Sequence, residues 1–538
     1  MQHTVIVVGG GLAGLTAALH LAERGLQPLV LEADPQFAGG RVAGRETVTI
    51  MGADGHTWTF RAEHGIHGLW SQYRNLDTML ARHALSPNLV AANRQQWVHG
   101  VRKRVYRCEM GRVVRRSWVP APFHYAALFV RPSFLNMLTL RDCVMLPWVL
   151  LALLVAVGID PMDESKANRG LDNRTMADLC RHWPPSLKAF VASLGRSGLS
   201  AHPEAVPLSG FIAFMRFYTL LRRDSQAFRY FAQDSGTALI EPMIARIQAL
   251  GGEVYLGRSV NKLEKTERGW RVQWQASQPS EMVGESSSLA KDGLPIIPAD
   301  KPFSPTVLEV ETDFVVLATD APGTAKILSR SPDTQLLAAN LKWPGALETI
   351  VVRAWFDFAP PPKAEAGLVS GNFTIDNFFW LQTFQDDVQR WHQATGGSAV
   401  EMHIYGPPET VALANEVLQL RAVKDLQRIF PTLSGHLLHT TVQRNAATHT
   451  LFGVGPASTH LGTITPWPGL FCCGDWVRHA TPALFLERAC VTGIAAANAV
   501  LTALEQPNFE FTPMRPPEPL ARFIQAFLSG ASRQRTRR

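Results

Sequence analysis

Side chains able to move protons gather in two short stretches of this 538-residue sequence. The first, "EHGIHGLW" at residues 63–70, sets Glu63, His64 and His67 around Gly65 and Gly68. As metal ligands the two histidines lack a third partner in sequence, so no metal site is expected. As acid–base groups all three are apt, because their pKa values are tuned toward neutrality by their surroundings. A third reading has the glycines shaping a turn while the histidines bond buried backbone, and it stays open beside the second. The other stretch, "SAVEMHIY" at residues 398–405, alternates as a strand, with Glu401 and His403 on one face and Val400, Met402 and Ile404 on the other. Turned into a cavity, the polar face lines a substrate site; turned outward, it is an ordinary solvated face.

Such groups act only beside a reactive partner, and the start of the chain offers one. "TVIVVGGGLAGLTAALHLAERGLQPLVLEAD" reads as strand, glycine turn, helix and strand. Gly9, Gly11 and Gly14 satisfy G-x-G-x-x-G: the first permits the tight turn, the second the approach of a pyrophosphate, the third close packing of helix on strand. The helix N-terminus presents free N–H groups to phosphates. Glu32 closes the second strand about 20 residues on, where a carboxylate reaches ribose hydroxyls.

The bulk composition narrows the partners. Length alone predicts more than one domain. The excess of 52 basic over 45 acidic residues gives +7, too dilute for a nucleic-acid binder but suited to an anionic membrane surface. Six cysteines without CxxC spacing predict a reducing compartment and no structural zinc. No basic region or cleavage site precedes the first strand, so no secretory signal is expected and the chain is placed on the cytoplasmic side of a membrane.

"PQFAGGRVAG" puts Gly39, Gly40 and Arg41 just after the acid, and "GLFCCGDWVRHATPALFLERACVTGIAAANAVL" places Gly474 and Asp475 between a strand and a helix starting near Pro482. These resemble the second and closing signatures of the flavin amine-oxidase and carotenoid-desaturase superfamily. The resemblance implies FAD, with Gly39, Gly40 and Arg41 beside it, Asp475 on its ribityl–phosphate arm and the backbone of Val260 at its adenine. It also implies an α/β fold: a Rossmann-type FAD-binding domain at 1–80, 235–345 and 460–505, and a discontinuous mixed α+β substrate domain at 81–234 and 346–459. A Ser/Pro/Gly-rich insertion at 275–305 interrupts the second FAD segment, and 506–538 form an amphipathic helix and basic tail.

"EHGIHGLWSQYRNL", "ATGGSAVEMHIYGP" and "ALFLERACVTG" together look like the carotenoid β-ring desaturase/methylases of isorenieratene-synthase type. That resemblance implies oxidation of a carotenoid ring to an aromatic one, with a geminal methyl migrating to the neighbouring ring carbon and staying in the substrate. "GIHGLW" lacks that branch's paired phenylalanines, which leaves another carotenoid or polyisoprenoid desaturation open. A flavin amine oxidase is the rival enzyme. Such oxidases place a tyrosine where this chain has Phe485, substrate-lining and without a hydroxyl. A flavin-binding membrane scaffold without catalysis is the non-enzymatic reading. Glu487 and Arg488 beside Phe485 are expected to form a structural salt bridge.

A carotenoid substrate predicts peripheral membrane contact at two places. Residues 143–159 form an uncharged run of about 17 residues, about 25 Å as a helix, under the ~30 Å hydrocarbon core, with Pro147 shortening its regular part further. Leu520, Phe523, Ile524, Phe527 and Leu528 recur at helical spacing before Arg533, Arg535, Arg537 and Arg538.

Overall fold

The β-branched run at the start of the chain forms the strand Val5–Val8, every side chain of which is buried. It is the middle of a parallel five-stranded sheet in the order Glu253–Tyr255, Leu29–Leu31, Val5–Val8, Phe314–Leu317, Leu470–Cys472. Parallel neighbours demand long crossovers, and here they are long enough to hold most of the chain. The computed structural model describes residues 4–44, 46–52, 54–163, 170–276, 307–361, 365–455 and 460–535. The insertion expected at 275–305 lies almost wholly outside them.

Helix Leu12–Glu23 is buried from Leu12 through Ala22 because it is covered twice, by the sheet and by helix Phe485–Ala503. The helices approach closely at Gly493, where a Cβ would stand 2.5 Å from the Ala13 carbonyl oxygen. The chain's end thereby closes over its beginning. This second helix starts at Phe485 rather than near Pro482. The backbone N–H and carbonyl of Leu484 are both held by the Tyr218 hydroxyl, at 3.2 and 3.0 Å, which keeps the preceding residues extended.

The second sheet has seven strands in the order Leu437–Thr450, Ala346–Phe356, Ser398–Ile404, Asn377–Trp380, Ala366–Gly371, Gln95–Val101, Arg104–Glu109. Its alternation works as the sequence predicts. Val400, Met402 and Ile404 pack on Leu418, Ala422 and Leu426 of helix Asn415–Ile429. Glu401 and His403 face the other way, in register with Arg353 and Val351 of the neighbouring strand. That polar face is buried, not solvated.

The apolar run belongs to helix Leu140–Gly158, which continues through Pro147. The expected shortening does not occur, because the ring removes one backbone bond, to the Cys143 carbonyl, while the bonds around it remain. Only Asp142, Val149, Ala156 and Val157 of this helix are buried. Asp142 caps the start of the helix with Thr139 and accepts the N–H groups of Ser186 and Leu187, at 3.0 and 3.1 Å, which ties it to the body of the protein. Helix Pro519–Arg535 lies against it, and Leu528 fits over Gly158. The stripe read in the sequence divides here: Leu520, Ile524 and Leu528 are half-buried, while Phe523 and Phe527 are exposed. The four C-terminal arginines lie outside the described side chains.

Replacing Gly493 by Ala adds helix propensity of up to about 1 kcal/mol but sets a methyl 2.5 Å from backbone that cannot swing aside. Overpacking of this kind costs about 1–3 kcal/mol. Gly493→Ala is therefore expected to lower the melting temperature of the holoprotein; an unchanged or higher one would show that the two helices separate freely.

Candidate active site

One cavity of about 980 Å³ runs between the two sheets and carries both sets of residues that the sequence singles out. Its first end is lined by Gly9, Gly11, Glu32, Gly39, Gly40, Arg41, Val260, Gly474 and Asp475. Gly9 has φ +108°, and a Cβ there would sit 2.9 Å from the Ala318 carbonyl oxygen. Gly14 does not line the cavity; a Cβ on it would fall 2.0 Å from the Gly9 carbonyl oxygen, so it serves helix–strand packing. At Gly11, by contrast, a Cβ meets nothing within 4 Å, because the position opens on the cavity. Gly11 also begins helix Leu12–Glu23 and has no side chain to satisfy the first N–H groups. Glu32 is fixed at the wall by the N–H groups of Gly10 and Asp34, at 2.7 and 2.9 Å. Open glycines, an uncapped helix start and a fixed carboxylate fit the pyrophosphate and ribose of FAD.

Arg41 and Asp475, read separately in the sequence, form an ion pair of 2.6 Å. Asp475 is further held by the Thr450 hydroxyl at 3.2 Å, and Gly474 donates its N–H to Thr492 on the closing helix at 3.0 Å. Glu487 and Arg488 do not pair, because consecutive helical residues diverge. Glu487 instead accepts the N–H groups of Asn75 and Leu76, at 2.8 and 3.0 Å, and Arg488 donates to the carbonyls of Ala483 and Thr481, at 2.7 and 2.8 Å. Phe485 does line the cavity, stacked on His449 with ring centroids 6.1 Å apart.

The stretch at 63–70 crosses the cavity wall and is pinned from behind. Buried Glu401 accepts the Ile66 N–H at 2.8 Å and pairs with Arg353 at 2.8 Å, while Arg353 also donates to the Glu63 carbonyl. Asn445 donates to the His64 carbonyl at 2.8 Å. These bonds turn His64, Gly65, Ile66, His67 and Gly68 to the cavity. They turn the Glu63 side chain away from it, toward Ser235, whose N–H it accepts at 2.8 Å, and toward Gln385 at 3.4 Å. Glu63 is thus a strut behind the loop, which corrects its placement among groups that face a substrate. Burial pushes its carboxyl up to about 8, against the Ser235 bonds. Burial also holds His67 down at about 4, with Glu401 acting the other way. The Nδ1 of His67 has no hydrogen-bond partner among the described residues. For Glu401, burial alone would raise the carboxyl, but Arg353 and His403 outweigh it and hold it at about 2.

His403 reaches the cavity while Glu401 stays behind it. His403 Nε2 lies 2.7 Å from Glu401, and Nδ1 lies 2.6 Å from the hydroxyl of Tyr405, which also lines the cavity. Arg353, Tyr405, Asn445 and His449 carry no motif that sequence reading detects; only their pairing across the fold reveals them. Six aromatic side chains also line this end, Trp70, Tyr73, Phe214, Phe228, Tyr230 and Phe379, with uncharged polar groups such as Gln226, Asn377 and Gln443 among them. Among the described residues no group of three His, Cys, Asp or Glu side chains is placed to hold a metal.

Residues 12–501 match the flavin containing amine oxidoreductase family. The chain is 24% identical over 606 residues to the carotenoid phi-ring synthase of Chlorobaculum tepidum, covering 95% of this chain and 90% of that one. It is 28% identical over 512 residues to the carotenoid phi-ring synthase of Streptomyces griseus, with 92% and 87% covered. Its structure is similar to that of cyclohexylamine oxidase from Brevibacterium oxydans IH-35A, with a TM-score of 0.63 at 15% identity over 94% of this chain and 100% of that one. At such identity the likeness shows a shared fold. The cofactor expected from the glycine signatures is FAD.

A lost charge-assisted bond to a buried ligand costs about 1.5–3 kcal/mol, roughly ten- to a hundredfold in affinity. Glu32→Ala and Asp475→Ala are each expected to shed flavin by that factor during dilute gel filtration. Full flavin content in both eluted variants would contradict the assignment.

Proposed function

The chain belongs to the flavin containing amine oxidoreductase family and is an FAD-dependent oxidoreductase, and from that premise we propose that it desaturates the β-ionone ring of a carotenoid, with migration of one geminal methyl, to an aromatic end group. The observation that carries this reading is the absence of an available carboxylate on the aromatic side of the cavity. The carboxylates among the described lining residues are Glu32, Asp320 and Asp475, held by Gly10 and Asp34, by Gly323 and by Arg41. An alkylammonium substrate would find no counter-charge there, whereas a hydrocarbon ring finds Phe485, Phe228, Trp70 and Phe379. The two carotenoid phi-ring synthases among the relatives support the same choice.

Bound here, FAD would supply the hydride acceptor for each of the two oxidations that aromatising the ring requires. The chain's share is to exclude water, to offer aromatic faces to the positive charge left on the ring and to receive the proton whose loss restores a double bond. Of the three candidates at 63–67, His64 and His67 face the cavity and Glu63 does not.

The purified yellow protein is expected to bleach anaerobically with β-carotene in detergent micelles, and a strain accumulating β-carotene is expected to gain aromatic carotenoids on expressing it. Bleaching only by an acyclic carotenoid would move the reading to another desaturase, bleaching by an amine to an amine oxidase, and no bleaching to a scaffold.

The same reading includes docking on the cytoplasmic face of a membrane, since a hydrocarbon of negligible water solubility must be drawn from a bilayer. Support comes from the exposed Leu140, Val144, Trp148 and Leu151 of one helix and Phe523 and Phe527 of the helix against it. Helix Leu140–Gly158 has the length and composition to cross a membrane. A crossing would put the two halves of the FAD sheet on opposite sides, so the reading is shallow insertion. Flotation with anionic liposomes is expected for the whole chain and should weaken when Leu151 and Val155 are charged or when the chain ends near Pro517. Retention of that shortened form by alkaline carbonate would instead mark an integral segment.

A further inference from the structure

We propose, on the carotenoid-ring reading above, that the Tyr405 hydroxyl takes the ring proton and passes its own proton to His403, with Glu401 holding the imidazolium that results. Tyr405, His403 and Glu401 form a line from cavity to interior, with contacts of 2.6 Å and 2.7 Å. Only the first two line the cavity. The direction of the line follows from its inner end. Glu401 is ionised beside Arg353 and accepts the Ile66 N–H, so toward His403 it can only accept. His403 Nε2 therefore carries the hydrogen, and in the neutral ring on which the relay rests Nδ1 presents its lone pair to the Tyr405 hydroxyl, which donates to it. A hydroxyl backed by a neutral imidazole, itself backed by a carboxylate, is the arrangement that lets an oxygen exchange protons at neutral pH.

The step balances. After a hydride has gone to oxidised flavin, the C–H bond next to the cationic ring carbon breaks and its electron pair becomes a ring double bond. The proton adds to the Tyr405 oxygen as the original phenolic proton moves to His403 Nδ1. One positive charge passes from ring to imidazolium, so the cavity gains no net charge, and the proton leaves to water with the product. The site is built to hold that charge. Glu401 is in contact with His403, and Asp376 accepts the Tyr405 N–H at 2.8 Å while pairing with Arg196 at 2.8 Å. His67 has less support: burial, Arg41 and His403 all disfavour a charge on it and only Glu401 favours one, while its Nδ1 is buried without a partner among the described residues. The assignment therefore moves the proton acceptor from His64 or His67 to Tyr405.

The test is an anaerobic single turnover of holoenzyme with β-carotene in detergent micelles. Three quantities are read: carotenoid affinity from its spectral shift, flavin bleached, and the rate at which carotenoid with one added ring double bond forms per reduced flavin, since an aromatic ring takes two such oxidations. Tyr405→Phe and His403→Gln, each with FAD content and melting temperature confirmed, should bind carotenoid within about threefold of wild type and still bleach. Their rate of product formation per reduced flavin should fall about 10²–10⁴-fold, the range for a lost acid–base group, and that of His67→Asn should fall less. An unchanged rate in Tyr405→Phe, or a collapse confined to His67→Asn, overturns the relay while the ring-desaturation reading stands. A wild-type protein that β-carotene does not bleach removes both.

Discussion

The buried ion pair between Arg353 and Glu401 organises the substrate side of this protein. The two side chains are 4% and 2% exposed and 2.8 Å apart. Taking two charges this far from water costs several kcal/mol per ion, about as much as their attraction returns. The pair is tolerable only if its remaining hydrogen-bonding capacity is filled, and the structure fills it. Arg353 also donates to Gln443 and to the Glu63 carbonyl, while Glu401 also accepts from Ile66 and His403. Two of those partners belong to the backbone of the histidine loop. The loop's conformation is thus set by what the ion pair requires, and the direction in which each loop side chain points follows from it.

A second pair does the same for the cofactor end. Arg41 follows the second strand of the FAD sheet, Asp475 follows its last, and their 2.6 Å contact ties the two signatures together. The tie needs helix Phe485–Ala503 to lie on helix Leu12–Glu23, which Gly493 permits. FAD binding and closure of the chain on itself are therefore one structural event, with the substrate sheet inserted between the two halves.

What the sequence discloses is what lies close together along it. Gly9, Gly11, Gly14 and Glu32 act through one strand–helix–strand unit, and their spacing carries their roles. Alternation at 398–404 likewise separates Glu401 and His403 from Val400 and Met402. Contacts between distant segments leave no such trace. Ile66 and Glu401 stand 335 residues apart, so no local pattern tells a loop carboxylate such as Glu63 that its neighbour's N–H will be claimed and its own side chain turned to Ser235. Tyr405 reads as an aromatic at a strand end until His403 is found 2.6 Å away. The Phe485 helix starts late because Tyr218, on another segment, holds Leu484. Each departure has the same origin: a long-range hydrogen bond overrides a local preference.

The likeness in fold to an amine oxidase makes the chemistry of the cavity wall decisive, because a fold does not fix a substrate. Oxidising an amine leaves the positive charge beside a nitrogen that shares it; oxidising a saturated ring leaves it on carbon, where a nearby water or carboxylate would capture it. A site for the second reaction must be dry, aromatic and free of exposed carboxylates, yet must still remove a proton. Those demands conflict unless the base is a poor nucleophile whose charge sits behind the wall. Here the substrate-side carboxylates Glu63, Asp376 and Glu401 all lie behind the wall and each accepts a backbone N–H. What reaches the cavity in their place is the Tyr405 hydroxyl and imidazole rings, with aromatic side chains around them. On the ring-desaturation reading, this separation of negative charge from a reacting cation by one layer of side chains is what suits an amine-oxidase fold to a hydrocarbon.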